Sequence, residues 1–398
     1  MAVFPSTSFR LGSLSADRLL YWSFCALFFF LPIWTSPVVI AAILCLAIWI
    51  FSGKAWKDRD CWIKAPWLAP VLLFMVLPWI ALLWSPDLKE GLRFATKSHH
   101  WLLTFAIASL KVPDDDFDSL LKAFLAGLAI VAIISVLQSI GVVPVRDGIP
   151  TVLDAKHITG SVFLVFGIAL LLFYFVNTQG FKQKSAIVAL TGLFLIALGA
   201  SGGRIGYVAL IIVGPFLAFL LMERAGIIKV AIVGLLLAGV LFSFTTVRDR
   251  FTLMQSEIQR YEHSDPNSSV GIRLHMWKGA FRIFLQHPVI GAGTGSYKQE
   301  MKQFETPELT WRDLDNPHNN YLYMAASFGI IGIFALLWLL YAFFKKGWTA
   351  RAKATGFAVF SYGVIICIAS LTYTPILALA SSHLFALLMG IRTMTHEA

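Results

Sequence analysis

The sequence predicts an all-α integral membrane protein with about twelve transmembrane helices. Of its 398 residues, 58% are hydrophobic and only 14% are charged, whereas soluble globular domains have roughly 25% charged residues. Apolar runs of about 20 residues, the length that crosses a bilayer, recur from Leu19 to Ile391. We therefore expect residues 1–398 to form a single polytopic membrane domain surrounded by membrane lipids.

Apolar length and chain-breaking residues delimit the individual spans. The predicted spans cover residues 19–35, 37–52, 67–84, 98–110, 119–141, 158–177, 185–200, 204–222, 227–245, 320–344, 354–372 and 375–392. Only Pro32 to Pro37 separates the first two spans, and the fourth is short. The long stretch 246–317 mixes polar and amphipathic sequence, which predicts one large outer loop that contains amphipathic helices.

The distribution of Lys and Arg supports this parity of spans. With both termini cytoplasmic, most basic residues of the short loops fall on the cytoplasmic side, as the positive-inside rule requires. Merging the first two spans would invert every later loop and break the rule. The net charge of +10 is spread over these loops, so we expect no nucleic-acid partner. The four cysteines lack metal-ligand spacing, and we expect neither a metal nor a cofactor.

Arg204 stands where local electrostatics disfavour a cation. It follows Ser201-Gly202-Gly203 and opens a predicted span on the outer side. There it faces the positive end of the helix dipole. One interpretation is an arginine anchor that reaches the membrane surface. The other is an anion site, in which the helix end and Arg204 both point at phosphate oxygens.

Arg273 projects from the apolar side of an amphipathic helix in the outer loop. At helical spacing, His275, Lys278, Arg282 and Gln286 share the polar face, and Ile272, Met276, Ala280, Phe281, Ile283 and Phe284 cover the other. A guanidinium placed among apolar residues needs an anionic partner. That partner is either a protein carboxylate, such as Glu257 or Asp265, or a phosphate of a substrate.

His318 lies in the stretch Asp315 to Tyr321, just before a long apolar span. Asn316 as N-cap and Pro317 at the first helical position would place His318 in the first helical turn. The helix dipole disfavours imidazolium there, and a neutral imidazole is a candidate general base near pH 7. The alternative is an interfacial histidine that bonds to a neighbouring loop.

Three weaker signals share the predicted outer face. Asp313-Leu314-Asp315 is a DxD pattern that some glycosyltransferases use for metal, but so short a match is frequent by chance. The glycine-rich segment 291–295 follows a helix rather than a strand, so a tight turn back to the membrane is favoured over a dinucleotide site. Lys97, His99 and His100 cluster at the outer end of the fourth span, as anion ligands or as interfacial residues.

These motifs together resemble the signature of the O-antigen ligase superfamily. The resemblance lies in residues 268–277 (SSVGIRLHMW) continuing through 287–293 (HPVIGAG), and in 317–322 (PHNNYL) followed by 329–332 (GIIG). The segment 201–204 (SGGR) resembles that superfamily's short outer loop bearing an arginine. The motifs cover about a tenth of the chain.

The resemblance implies a membrane-embedded glycosyltransferase of the GT-C type, located in the bacterial inner membrane. O-antigen ligases transfer a glycan from undecaprenyl diphosphate to the lipid A–core oligosaccharide at the periplasmic face, with inversion and without metal. By motif position, His318 corresponds to the base and Arg204 and Arg273 to the diphosphate-binding arginines, with Lys97 as a fourth contact. Asn319, Arg93 and His157 are accessory candidates, although His157 lies where many members carry an Asn-rich segment.

Two further classes of function remain open at this stage. The superfamily also contains O-antigen polymerases and protein O-oligosaccharyltransferases, which share the donor and differ in the acceptor. The ligase is favoured because the chain has one long outer loop with the arginine and histidine motifs near its ends. A lipid-linked sugar transporter should carry polar residues deep in its spans, whereas the polar groups here collect at one face.

Overall fold

The computed structural model describes residues 15–145, 157–221, 227–262, 267–305, 309 and 314–393. Within these ranges the chain forms helices and no strand. The first nine α-helices are α1 (Ala16–Phe30), α2 (Thr35–Phe51), α3 (Lys54–Lys57), α4 (Asp60–Ile63), α5 (Leu68–Ile80), α6 (Leu88–Thr96), α7 (Leu102–Ala108), α8 (Asp114–Ser139) and α9 (His157–Asn177). The others are α10 (Phe181–Ala200), α11 (Arg204–Leu221), α12 (Ile227–Ser243), α13 (Thr245–Glu262), α14 (Ser269–Gln286), α15 (Tyr297–Met301), α16 (Asn320–Thr349), α17 (Ala354–Ala369) and α18 (Leu379–Gly390). Short 3-10 helices lie at Ala81–Trp84, Lys97–Trp101 and Lys302–Phe304.

The predicted apolar runs are helical, which agrees with a membrane protein. In the described ranges, five helices are long and apolar enough to cross a membrane, namely α8, α10, α11, α16 and residues 158–177 of α9. Other apolar helices, such as α2, α17 and α18, have 10–17 residues. The fourth predicted span is a 3-10 helix followed by the short α7. The number of twelve spans therefore stays a prediction.

Helix α9 lies at the centre of the helical packing. It contacts α8, α10, α11 and α17. Aromatic side chains fill these contacts, with Phe124 packed edge-on against Phe163 and Phe166 packed against Tyr362. All four of these side chains are fully buried. Large apolar side chains such as Ile40 on α2 and Phe334 on α16 are instead exposed, as expected of surfaces that face lipid.

Helix α16 is sharply kinked at Gly329, whose backbone has φ 62° and ψ −150°. The segment 288–293 inserts at this kink and replaces the helix's own hydrogen bonds. Ala292 N–H donates to Ala326 O at 2.9 Å and Gly293 N–H donates to Ser327 O at 3.0 Å, while Ile330 N–H donates to Pro288 O at 2.9 Å. Non-helical backbone is tolerated within a membrane protein where its polar groups are satisfied in this way.

The same segment is fixed on its other side by the end of α5. Thr294 donates its hydroxyl to Pro78 O at 2.6 Å, and Trp84 donates its indole N–H to Gly291 O at 3.2 Å. Residues 288–293, which include the start of the turn predicted for residues 291–295, therefore form a wedge between α5 and α16. The wedge sets where α14, which precedes it, lies relative to α16.

Candidate active site

Arg204 is the first residue of α11 and follows a tight loop at Ser201 to Gly203. Gly202 has φ +64°, a left-handed conformation that glycine adopts without steric cost. The Ser201 hydroxyl accepts the N–H of Gly203 at 3.3 Å. The loop and the helix start fix the backbone of Arg204, and its Nη1 lies 3.2 Å from Oε2 of Glu257 on α13.

The ion pair between Arg204 and Glu257 is largely buried. The side chains of Arg204 and Glu257 are 20% and 6% exposed. A pair shielded in this way is not a surface anchor that reaches into solvent, and breaking it would leave an uncompensated charge. The candidate site therefore contains a largely buried ion pair between Arg204 and Glu257.

Arg273 lies beside this pair. Burial lowers the pKa of its guanidinium, the like charge of Arg204 lowers it further, and Glu257 raises it; an arginine remains protonated nonetheless. Glu257 therefore forms its ion pair with Arg204 and not with Arg273. It affects Arg273 only through its charge. Asp265 lies outside the described residues. Among the residues that the structure describes, no carboxylate is within ion-pair distance of Arg273.

Helix α14 positions Arg273 through its own sequence. The Ser268 side chain caps the helix by accepting the N–H of Gly271 at 3.0 Å. Met276, Ala280 and Ile283 are buried, and Lys278 and Arg282 are exposed, much as the amphipathic pattern predicts. Phe281 was expected on the covered side and is 51% exposed, so the buried face is narrower than predicted.

His318 does not lie in the first turn of a helix, and that prediction is wrong. Helix α16 begins at Asn320, and Asn319 is its N-cap, accepting the N–H of Leu322 at 3.0 Å. The side chain of Asn316 turns back to accept the N–H of His318 at 2.8 Å. This leaves His318 in the left-handed region at φ 48°, a conformation uncommon for residues other than glycine and often found at functional sites.

The loop that carries His318 is fixed on two sides. Thr374 donates its hydroxyl to Asn316 Oδ1 at 2.8 Å, and Asn319 donates its side-chain N–H to Leu371 O at 2.9 Å. Asn319, an accessory candidate, thus caps α16 and anchors the loop. The imidazole is half-buried.

Trp277 connects Arg273 with His318. It follows Arg273 by one helical turn, so both side chains project from the same side of α14. Its indole N–H donates to Pro317 O at 2.9 Å, immediately before His318. The structure thereby brings the arginine-bearing face of α14 against the histidine loop.

Lys97 lies near Asp315, in the loop that carries His318. Burial lowers the pKa of its ammonium group and Arg93 lowers it further, while Asp315, three residues before His318, and Glu90 raise it. The ammonium group also lies 4.4 Å from the ring centre of Phe94. Lys97 is therefore a half-buried cation next to the loop.

The remaining predicted residues are placed differently. Arg93 pairs with Glu90 at 3.2 Å, and its side chain is 66% exposed. His100 is buried and stacks on His383 at 5.5 Å between ring centres. His157 begins α9, and its side chain lies outside the described residues. Asp313 of the DxD pattern also lies outside them, so the expectation that this pattern binds no metal is not tested.

The region around this site is similar to a known protein family. The family model described as O-antigen ligase matches residues 189–337. Over these residues the chain is similar to the O-antigen ligase family. The matched region runs from α10 into α16 and includes Arg204, Glu257, Arg273 and His318, whereas Lys97 precedes it. The match supports a function within the O-antigen ligase and polymerase group of membrane proteins.

One curated relative of this chain is an uncharacterized protein of Haemophilus influenzae. The two are 27% identical over 184 residues, which cover 44% of this chain and 46% of the relative. The chain thus aligns with less than half of the relative's length. The similarity supports common descent and assigns no substrate.

A cavity of about 320 Å³ adjoins His318. Its polar lining comes from Asn316, His318, Thr159, Tyr373 and Thr374, and the connection between α1 and α2 forms an apolar wall. Thr159 and Tyr373 hydrogen-bond to each other at 2.6 Å between their hydroxyl oxygens. The cavity gives the His318 loop a space large enough for part of a substrate.

Sequence reasoning missed two residues of this region. Glu257 was named only as a partner for Arg273, and Arg250 was not singled out among the basic residues of the loop. A signal for both was present, because Arg250 and Glu257 are seven residues apart and such residues share a helix face. The seven-residue spacing identifies these two residues as part of the site only when α13 is known to pack against the loop before Arg204.

Proposed function

We propose that this chain is an O-antigen ligase of the bacterial inner membrane. It would transfer a glycan from undecaprenyl diphosphate to a hydroxyl of the lipid A–core oligosaccharide. In this proposal both termini are cytoplasmic, residues 246–317 form a periplasmic loop, and the active site faces the periplasm. The architecture would be of the GT-C type.

The observation that carries the proposal is the group formed by the buried Glu257 and the half-buried Arg204 and Arg273 beside the His318 loop. Two guanidinium groups face one carboxylate, so the group retains positive charge that an anionic substrate can neutralise. Arginine binds phosphate oxygens through two parallel hydrogen bonds. The hydrogen bond from Trp277 to Pro317 places the histidine loop against the same face of α14.

The proposed reaction uses these residues in separate roles. His318 removes the proton from the acceptor hydroxyl, and the resulting oxygen attacks the anomeric carbon of the donor. The bond between that carbon and the phosphate oxygen breaks, and undecaprenyl diphosphate leaves with the electron pair. Arg204 and Arg273 stabilise the charge that develops on the leaving oxygen. A single displacement of this kind inverts the anomeric centre.

The cavity beside His318 suits the acceptor. Its polar groups lie around His318, and its apolar wall comes from the connection between α1 and α2. An acceptor sugar held there would have a hydroxyl next to the imidazole, and such positioning supplies much of the catalytic effect in transfer reactions. Lys97 would add a cation on the Asp315 side of the loop.

A lipopolysaccharide gel from a ligase-null strain tests the proposal. Expression of the chain should restore the O-antigen ladder, and His318→Ala should abolish it at an equal level of protein in the membrane. His287→Ala is the matched control, because His287 is an exposed histidine at the end of α14. That variant should restore the ladder.

The outcomes separate the members of the family. A ladder restored equally by His318→Ala would contradict the role of His318 as base. No ladder from the unmodified chain, with a compatible core and good expression, would contradict ligation. Restored chain elongation in a polymerase-null strain would then identify the polymerase reaction, which shares the donor.

A further inference from the structure

A third arginine, Arg250 of α13, lies against the loop that precedes Arg204. A Cβ atom added to Gly202 would be 3.3 Å from Nη2 and 3.4 Å from Nε of Arg250. The guanidinium therefore lies directly over bare backbone, where glycine alone leaves room for it. Arg250 is also within electrostatic reach of the Tyr207 hydroxyl on α11.

Helix α13 presents Arg250 and Glu257 to the same loop. The two residues are seven apart, or two helical turns, so both project from one face of α13. Glu257 binds Arg204 at 3.2 Å, and Arg250 lies over Gly202 two residues before Arg204. Arg250 is half-buried, whereas Arg248 on the same helix is exposed.

The charges around this loop do not balance. Arg204 and Arg273 both lie near the carboxylate of Glu257, and Arg250 adds a third cation over the loop before Arg204. Among these four described residues, two positive charges are in excess. In the ranges that the structure describes, neither Arg250 nor Arg273 has an ion-pair partner. Partly buried cations without a counter-charge are costly, so the arrangement is suited to an anion that carries about two negative charges.

A sugar joined to a lipid through a diphosphate carries one negative charge on each of its two phosphates. A sugar joined through a monophosphate carries a single charge. We propose that Arg250 is a third donor-binding arginine and that its charge makes the site select a diphosphate-linked lipid over a monophosphate-linked one. This inference rests on the proposed function, since it assumes that the arginines bind the lipid-linked donor.

Binding of two lipids to the full chain in nanodiscs tests this inference without requiring catalysis. The probes are glucose linked to undecaprenol through a diphosphate and glucose linked to undecaprenol through a monophosphate. Neither probe ends in a free phosphate, so they carry two negative charges and one. The unmodified chain should bind the diphosphate more tightly. Arg250→Ala should weaken diphosphate binding roughly tenfold to a hundredfold, the range for losing a charge-assisted hydrogen bond. It should change monophosphate binding much less.

Two further variants control for charge and packing. Arg248→Ala removes an exposed arginine of the same helix and should bind both lipids like the unmodified chain. Arg250→Lys keeps the charge but loses the planar fork, so its diphosphate affinity should lie between those of the unmodified chain and Arg250→Ala. This variant also keeps the test valid if Arg250→Ala folds poorly.

The outcomes distinguish this inference from the proposed function. Tight diphosphate binding by the unmodified chain and equally tight binding by Arg250→Ala would overturn the role of Arg250 alone. Equal weakening of both lipids in Arg250→Ala would overturn the selectivity. Failure of the unmodified chain to bind the diphosphate-linked probe would overturn the proposed function itself.

Discussion

Gly291 and Gly329 approach each other so closely that neither position can carry a side chain. A Cβ atom on Gly329 would lie 2.8 Å from the backbone N of Gly291 and 2.4 Å from Val289 O, and one on Gly291 would lie 2.2 Å from the N of Phe328. Both glycines have positive φ. This contact closes the wedge of residues 288–293 into the kink of α16, so it holds α14 and the start of α16 in register.

Replacing Gly329 by alanine should therefore destabilise the protein by about 2 kcal/mol or more, because the new methyl group meets rigid backbone and φ becomes strained. The midpoint of thermal unfolding in detergent reports the loss. Gly192→Ala on α10 is the matched control, since a Cβ there meets no atom within 4 Å. That variant should be neutral or slightly stabilising. Equal midpoints for the two variants would contradict the close approach.

The carboxylate of Glu257 should neutralise Arg204 in the free protein, as a phosphate of the lipid-linked donor would in the complex. Glu257→Gln removes the counter-charge of Arg204, so we expect the free protein to unfold at a lower temperature, with a loss of about 3 kcal/mol for a broken buried pair. Undecaprenyl diphosphate should then raise the unfolding temperature more in the variant than in the unmodified chain. The larger rise is expected because the lipid supplies the charge that glutamine lacks.

Glu90→Gln is the control for this comparison. Glu90 pairs with the exposed Arg93, and surface pairs of this kind contribute roughly 0–1 kcal/mol. Its unfolding temperature and its response to the lipid should match those of the unmodified chain. A Glu257→Gln variant with the same response to lipid as Glu90→Gln would show that Glu257 is remote from the bound anion.

The contrast between Arg273 and His318 shows what sequence could predict here. Arg273 lies on α14 as the amphipathic pattern indicated, since a helical period depends only on residues of the same segment. His318 was misplaced because Pro317 favours the first helical position, whereas the side chain of Asn316 binds the N–H of His318. Asn319 then becomes the cap. Two competing local caps cannot be ranked without Thr374, which holds Asn316 in place.

The kink at Gly329 and the position of Arg250 could not be predicted from the sequence for a different reason. Residues 320–344 contain no proline, and Gly329 alone does not predict a break in an apolar span. The break is stabilised by the distant segment 288–293. In the sequence, Arg250 likewise looks no different from the other basic residues of the loop. Its position is distinctive only because α13 packs against Gly202. Both features depend on contacts between segments that no local pattern encodes.

Trp277 should position His318 without contacting the donor. Trp277→Phe keeps an aromatic ring but removes the hydrogen bond to Pro317 O, worth about 1 kcal/mol. We expect kcat to fall roughly fivefold while the KM for the lipid-linked donor stays unchanged. Trp22→Phe, at an exposed tryptophan of α1, should leave both constants unchanged. A rise in donor KM with constant kcat would instead place Trp277 in donor binding.

On the opposite side of the helix bundle, Asp58 should make stability depend on pH. Burial alone would raise the pKa of this carboxyl, but hydrogen bonds from Lys111 and Lys54 outweigh burial and hold the pKa below its usual value. The Nζ of Lys54 lies 2.6 Å from Asp58 Oδ2. Because the pKa is lower in the folded state, the stabilisation is complete above the unfolded value of about 4. It is lost as the pH falls through the folded value.

Asp58→Asn should therefore cost about 2 kcal/mol near neutral pH, and the difference in unfolding free energy between this variant and the unmodified chain should shrink below about pH 4. Asp60→Asn, at an exposed carboxyl of α4, is the control and should show only a small difference near neutral pH. Denaturant unfolding in detergent at several pH values measures both. A difference for Asp58→Asn that stays constant down to about pH 3 would mean that the charge of Asp58 contributes nothing to the fold, because protonation removes that charge.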